Sequence, residues 1–395
     1  MRPFTGCLLG ALWLASAPVV AAPQDDFDRC LATLQPQALK QGVSAAGFTR
    51  LTAGLTPDLS VLPLLDAQPE FTTPLWDYLA ALVDTQRVDD GRARLLQHRD
   101  LLATVSAQYG VDPATIVAVW GVESDYGRVF GKRPLLQSLA TLSCNGRRQP
   151  FFRGELLALL KLLDAGDLSA DGLTGSWAGA FGHTQFMPST YARIAVDGDG
   201  DGRRDLVASI PDALASTANY LKQAGWRTGQ PWGIEVKIPA GFNASQAGRT
   251  NRKPLSAWRA QGIVPIAGGA LAPGGLPDDA NAALLLPTGA NGPAWLVFRN
   301  YDAIYAYNAA ESYAWPLPPW PTACAVAPAP WRPGPPTTPA SAAPSGASCR
   351  PCCSHAGTTS APPTAWSALP PGAPSRSNSR RWAGPTPMAV PANAS

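Results

Sequence analysis

The chain has 395 residues, with 31 Lys and Arg against 28 Asp and Glu, three His and a formal net charge of +3. That length holds one large domain or two ordinary ones. So small a positive excess gives no argument for nucleic acid as a partner, although it would not oppose contact with an anionic surface.

The first residues read as a leader. Arg2 is followed by an uncharged, largely apolar run from Phe4 to Ala17, and Val19-Val20-Ala21 offers small residues for cleavage before Ala22. The apolar run is too short to read as a membrane span. Residues 1–21 are therefore expected to be a signal peptide, and the mature chain a periplasmic protein with no membrane span. Cys7 has too little apolar chain before it to suggest a lipid anchor, so outer-membrane association is not indicated. Of the seven cysteines, Cys30 and Cys144 lie in sequence that looks folded. In an oxidising compartment they could pair; equally, both could be buried thiols.

Apolar residues at three-and-four spacing predict helices over Phe27 to Leu39, around Trp76-Asp77-Tyr78, and from Gly91 to Tyr109. Asp112-Pro113 opens a further helix, with an acidic cap and proline in the first turn. In it Ile116, Val119 and Trp120 form an apolar stripe, and Glu123 falls on the same face. Glu123 also sits in the last turn, at the negative end of the helix dipole. Burial and dipole together are expected to raise its pKa, as a general acid at neutral pH requires. Asp125, two residues on, should point to another face and act as a structural hydrogen-bond acceptor.

Helical patterns continue over Leu135 to Leu142 and Gly154 to Leu163, before a glycine-rich stretch from Gly172 to Gly182. Asp197-Gly198-Asp199-Gly200-Asp201-Gly202-Arg203 then places oxygen ligands at positions 1, 3 and 5 of an EF-hand-type loop, with glycine at 6 and a backbone carbonyl, that of Arg203, at 7. Three carboxylates two residues apart repel unless a cation neutralises them, which predicts a structural Ca2+. Position 12 is Ala208, so Asp212 is the expected replacement for the usual glutamate, and Asp205 could ligate through water. No organic cofactor is expected. Pro211 to Ala224 reads as a helix closed by Gly225. From about 232 to 290 the texture changes to strands, among them Ile234 to Ile238 and Ala283 to Leu286, with another at Ala294 to Phe298. Tyr301 to Ala314 returns to helix.

Two motifs carry a family resemblance. Gly121-Val122-Glu123-Ser124-Asp125-Tyr126-Gly127 and Gly179-Ala180-Phe181-Gly182-His183-Thr184-Gln185-Phe186-Met187-Pro188-Ser189 resemble the two signatures of the membrane-bound lytic murein transglycosylase B family (glycoside hydrolase family 103), an SLT-like domain with a calcium loop. Ala218 to Leu221 and Tyr307-Asn308 match further positions. The resemblance spans about residues 26 to 314 in the right order.

It implies a mainly α fold with a small β-containing insertion, a lysozyme-like catalytic core, and non-hydrolytic cleavage of the MurNAc–GlcNAc bond of peptidoglycan. Glu123 would be the catalytic acid and then base. Tyr78, Ser176, Gln185, Tyr220, Tyr307, Asn308 and Tyr313 would line the glycan cleft. Asp197, Asp199, Asp201, Arg203 and Asp212 would hold calcium. The partners implied are glycan strands and other cell-wall enzymes. His183-Thr184 departs from the Tyr-Gly of some relatives, which leaves the shape of that wall open. Rival readings are a lysozyme-type hydrolase and a non-catalytic wall-binding or truncated product.

From Trp315 onward there is no Asp, Glu or Lys, whereas about half of the 41 prolines and Cys324, Cys349, Cys352 and Cys353 fall there. One reading is a Pro/Ala/Ser-rich unstructured tail over 315–395. The other is translation out of frame: permitted codons read one base earlier give an amphipathic helix and a string resembling a peptidoglycan-binding repeat. The catalytic domain is accordingly bounded at 22–314.

Overall fold

The computed structural model describes residues 23–67, 73–310 and 314. The expected leader, the tail from 315 and Tyr313 lie outside the described residues. The chain opens with α1 (Pro23–Lys40) and α2 (Ala45–Thr52), followed by α3 (Leu75–Leu82), α4 (Thr85–Gln97), α5 (Arg99–Tyr109) and α6 (Pro113–Ser124). A short strand β1 (Arg133–Pro134) leads into α7 (Leu135–Cys144) and α8 (Gln149–Ala165), and pairs antiparallel with β2 (Thr174–Gly175). Next come α9 (Pro188–Ile194) and α10 (Ile210–Gln223). A strand-bearing excursion carries β3 (Gly233–Lys237), β4 (Arg252–Pro254), α11 (Leu255–Ala260), β5 (Val264–Pro265), β6 (Asn281–Leu285) and β7 (Ala294–Val297) before α12 (Arg299–Asn308). The fold is mainly helical with small antiparallel sheets. No helix among the described residues is long and apolar enough to cross a membrane.

Local chemistry explains most helix ends. Ser44, Asp84, Asp112 and Ser209 each accept a backbone N–H of the first turn of α2, α4, α6 and α10; replacing such a cap by alanine costs about 1 kcal/mol. Gly110 and Gly166 close α5 and α8 in the left-handed conformation that glycine adopts without strain.

Three expected boundaries move. The continuous pattern from Gly91 to Tyr109 is two helices, broken at His98, whose N–H turns back to Arg94 and Leu96 carbonyls. The expected helix from Tyr301 to Ala314 breaks after Asn308, where Ala309 takes φ 52; Ala314 is helical again and donates its N–H to the Ala310 carbonyl at 3.2 Å, and residues 311–313 lie outside the described residues. The strand-bearing segment extends past 290, because β7 is the middle strand of the order β4-β6-β7-β3-β5.

Apolar side chains gather into three clusters. The first joins α5, α6, α10 and α12 through Ile116, Trp120, Leu221, Tyr301 and Ile304. The second joins α1, α2, α7, α8 and α9 with the glycine-rich loop, through Phe27, Leu139, Leu160, Phe181 and Tyr191. The third lies between the larger sheet and α11, around Trp258, Leu284 and Leu296. Trp258 is fully buried and donates its indole N–H to the Ala282 carbonyl at 3.0 Å, so burial leaves its polar atom satisfied. Cys30 of α1 and Cys144 of α7 are joined by a disulfide within the second cluster's frame.

Candidate active site

Helix α6 is buried on every side. Thr115 through Gly121 are all inaccessible, so the Ile116, Val119 and Trp120 stripe does not single out one face. A helix apolar all round belongs in the middle of a fold. Its two ends come out: Pro113 and Ala114 are half-buried at the start, Val122 and Glu123 in the last turn, and the helix ends at Ser124. Glu123 therefore sits where a core helix meets solvent, at the carbonyl end of its dipole.

The turn after it is strained. Asp125 and Tyr126 take φ of 50 and 58, and Gln185 of the second motif takes 49. Left-handed backbone at non-glycine residues costs of order 1 kcal/mol or more each, and concentrates where surrounding structure enforces it. The enforcement is visible. Tyr126 donates its hydroxyl to the Arg87 carbonyl at 2.7 Å and sets its ring edge-on to Trp120, 5.6 Å between centroids. Gly121 lets that ring close, since a Cβ there would lie 2.8 Å from it.

Asp125 is clamped by Arg128, with contacts of 2.9 and 2.8 Å, and lies 3.4 Å from Arg87. Burial works against its charge, but the Arg128 hydrogen bonds and the two guanidinium charges prevail and hold its pKa below the ordinary value. Asp125 is thus an ionised anchor for the turn, as its expected role as a hydrogen-bond acceptor requires.

A pair of tyrosines lies within electrostatic reach of Glu123. Tyr220 of α10 and Tyr307 of α12 have ring centroids 4.6 Å apart, and Phe186 sits 5.7 Å from each. Tyr220 donates to the Ala306 carbonyl, and Tyr307 to the Thr184 carbonyl at 3.0 Å. Burial raises both phenol pKa values, and the negative charge of Glu123 raises both further, Tyr307 well above its usual value. Tyr307 packs against the first and second clusters alike, so the site lies on the seam between them.

The glycine-rich loop supplies the adjoining wall. Ser176 accepts the Ala180 N–H at 3.0 Å, folding the loop on itself. The Gln185 amide donates to the carbonyls of Gly182 at 2.9 Å and Phe130 at 3.3 Å, which ties the loop to the segment after Glu123. Gly182, at φ 70, packs so closely on the Leu206 carbonyl that a Cβ would lie 2.5 Å from it. Asn308 is exposed at the end of α12. Tyr78 is half-buried on α3, next to Leu79, which packs in the cluster with Trp120.

The sequence marked His183 only as a departure from the family pattern and Trp120 only as part of an apolar stripe, and gave Phe186 no role. Their side chains meet only in the fold, and no spacing signals a contact between residues 63 positions apart such as Trp120 and His183.

The aspartate loop lies before α10. Ligand atoms of Asp197, Asp199 and Asp201 all fall within 4.8 Å of one another. Calcium–oxygen distances of about 2.3–2.6 Å put opposing ligands up to about 5 Å apart, so the three fit one ion. The N–H groups of Gly202 and Gly200 hold the Asp197 carboxyl below its usual pKa. Asp212 lies beneath, buried, its two oxygens accepting the N–H groups of Gly198 at 2.7 Å and Asp205 at 2.6 Å. Burial raises its pKa, and Asp199 adds to the rise; a cation in the loop would reverse both tendencies. The Arg203 N–H donates to Asp201 at 2.8 Å, leaving its carbonyl for position 7. Asp205 turns one oxygen to the N–H groups of Val207 and Ala208.

Residues 26–317 match the family model described as "Transglycosylase SLT domain". The chain belongs to this family. Across the SLT family, the chain is 34% identical over 288 residues to membrane-bound lytic murein transglycosylase B of Escherichia coli, covering 70% of this chain and 74% of that protein. SltB3 of Pseudomonas aeruginosa, solved in complex with NAG-NAM-pentapeptide, is 48% identical with a TM-score of 0.71, covering 74% and 78% of the two chains. Slt35 of Escherichia coli, solved in complex with calcium, is 31% identical with a TM-score of 0.65, covering 76% and 93%. The lysozyme-like SLT fold of this chain follows from these likenesses.

Proposed function

We propose that the chain is a peptidoglycan lytic transglycosylase, with Glu123 as the sole acid/base, cutting the MurNAc–GlcNAc β-1,4 bond to leave 1,6-anhydroMurNAc ends. The observation that supports this is Glu123, half-buried at the exit of a core helix with its charge bearing on both phenols of the tyrosine pair, while its neighbour Asp125 is held by arginines. Ordinary glycosidases need two carboxyl groups, one to protonate the leaving oxygen and one to act as nucleophile or to activate water. One suffices if the substrate supplies the nucleophile. Glu123 would protonate the glycosidic oxygen as the C1–O bond breaks. The resulting carboxylate would take the proton of the MurNAc C6 hydroxyl, whose oxygen bonds to C1.

The tyrosines suit this task. Their rings offer apolar faces to sugar, and because their hydroxyl protons go to the Ala306 and Thr184 carbonyls, their phenol oxygens are left as acceptors. Gln185, Ser176, Asn308, Tyr78 and Tyr313 extend the same cleft on this reading. The aspartate loop would hold a structural Ca2+ through Asp197, Asp199, Asp201, the Arg203 carbonyl and Asp212. Residues 22–314 would be the catalytic domain, sent to the periplasm by residues 1–21.

Glu123→Gln keeps the shape and removes the proton. Release of soluble fragments from purified peptidoglycan should drop by at least on the order of 100-fold. Mass spectrometry of wild-type products should find ends lighter by one water than reducing ends. Reducing ends instead would make the enzyme a hydrolase of lysozyme type, and full activity in the Gln variant would remove Glu123 from the chemistry.

A further inference from the structure

His183 lies in the second motif, and its ring packs edge-on against Trp120 of helix α6. Its Nδ1 accepts the indole N–H of Trp120 at 2.9 Å. Because that indole can only donate, the imidazole proton must sit on Nε2. The carbonyl of the same residue accepts the Ser124 hydroxyl at 2.8 Å. Trp120 and Ser124 are one helical turn apart, and Glu123 lies between them. One residue therefore grips the catalytic turn at both ends, by its ring and by its backbone.

His183 is itself immobilised. Its N–H donates to the Leu206 carbonyl at 2.8 Å, Phe130 stands edge-on to its ring at 4.7 Å, and a Cβ on Gly127 would lie 2.2 Å from the imidazole. Only glycine at 127 permits that approach. The residue as a whole is buried, 7% exposed.

We propose that His183 is a positioning residue: its neutral imidazole and its carbonyl jointly fix the last turn of α6, and so the direction of the Glu123 carboxyl. This rests on Glu123 being the acid/base. A displacement of about 1 Å at a reacting group can cost on the order of 100-fold in rate, so slackening this grip should be read in kcat and not in substrate binding.

The test compares His183→Phe, which fills the space without an acceptor, with His183→Asn, whose side-chain oxygen can stand where Nδ1 does. Peptidoglycan turnover by the full chain should show kcat lowered roughly 10- to 100-fold in His183→Phe with KM within about twofold. His183→Asn should recover most of the loss, with both variants folded by circular dichroism. Trp120→Phe removes the donor from the other side, and combining it with His183→Phe should add little to either, since both break one bond. Wild-type kcat in His183→Phe, equal losses in the Phe and Asn variants, or fully additive losses in the double variant would each overturn the proposal. Glu123→Gln, measured alongside, separates the two readings: activity surviving there defeats the acid/base role, whereas its loss beside an unaffected His183→Phe defeats only the positioning.

Discussion

His183 is buried where a proton would be costly, and burial pushes its pKa down from 6.5 to about 4. Between those values the unfolded chain binds a proton that the folded chain does not. Stability is therefore intact above pH 6.5 and is lost as pH falls toward 4, by about 1.4 kcal/mol per unit and about 3 kcal/mol in all. Asp125, whose folded pKa is depressed, adds its own loss only lower, as pH falls through its folded value. Urea denaturation at pH 4.5 and pH 7 should show the first loss, and His183→Asn should flatten it; an unchanged slope would assign the effect to another group. At this scale the sequence was most informative where chemistry is local. Glu123 at the end of a helix opened by Asp112-Pro113 could be read from residue types alone. The expected apolar stripe could not identify its environment, because a helix buried all round has no face to identify. The contact between Trp120 and His183 carried no signal, since their hydrogen bond joins residues 63 positions apart.

Among elements, the aspartate loop was the most legible and the α4–α5 break the least. Alternating Asp and Gly encodes ligand spacing directly in the chain. The break at His98 has neither proline nor glycine, and the apolar period runs across it undisturbed. The end of α12 was hidden for a similar reason: Ala309 adopts a left-handed backbone that its residue type disfavours. The loop also makes the clearest forecast at this scale. Calcium should raise the melting temperature of the purified chain, with about 2.7 kcal/mol gained at free calcium one hundredfold above Kd. Chelation should reverse the shift, and Asp199→Asn should weaken it by removing one negative charge and leaving a single oxygen for either the ion or the Ser209 hydroxyl, which donates to Asp199 at 2.9 Å. A melting temperature indifferent to calcium would leave the three carboxylates without the ion proposed for them.

Over the whole molecule, two clusters of apolar side chains share the helices, and the candidate site occupies their seam. The Cys30–Cys144 disulfide closes a loop of 114 positions in the second cluster. Chain entropy assigns such a closure about 4–5 kcal/mol. Replacing both cysteines by serine should lower stability to guanidinium by that order with the site's geometry kept, so kcat at low temperature should change little. A stability loss under about 1 kcal/mol would mean that the unfolded chain is already compact around these residues. The general architecture, helical with a strand-bearing part before a final helix, was readable from periodicity. The order of strands was not, because pairing β7 between β6 and β3 depends on contacts that alternation alone does not specify.

Tyr220 and Tyr307 meet at 4.6 Å although five strands are threaded between them. A ribosome delivers Glu123, the glycine-rich loop and Tyr220 well before it delivers the partner ring. Until the excursion is made and α12 returns, Glu123 has Tyr220 and the glycine-rich loop but not Tyr307, and on the proposed reading a fragment ending anywhere in the sheet holds the acid without one ring of the pair that would face the sugar. Competence arrives late along the chain, with its final described helix.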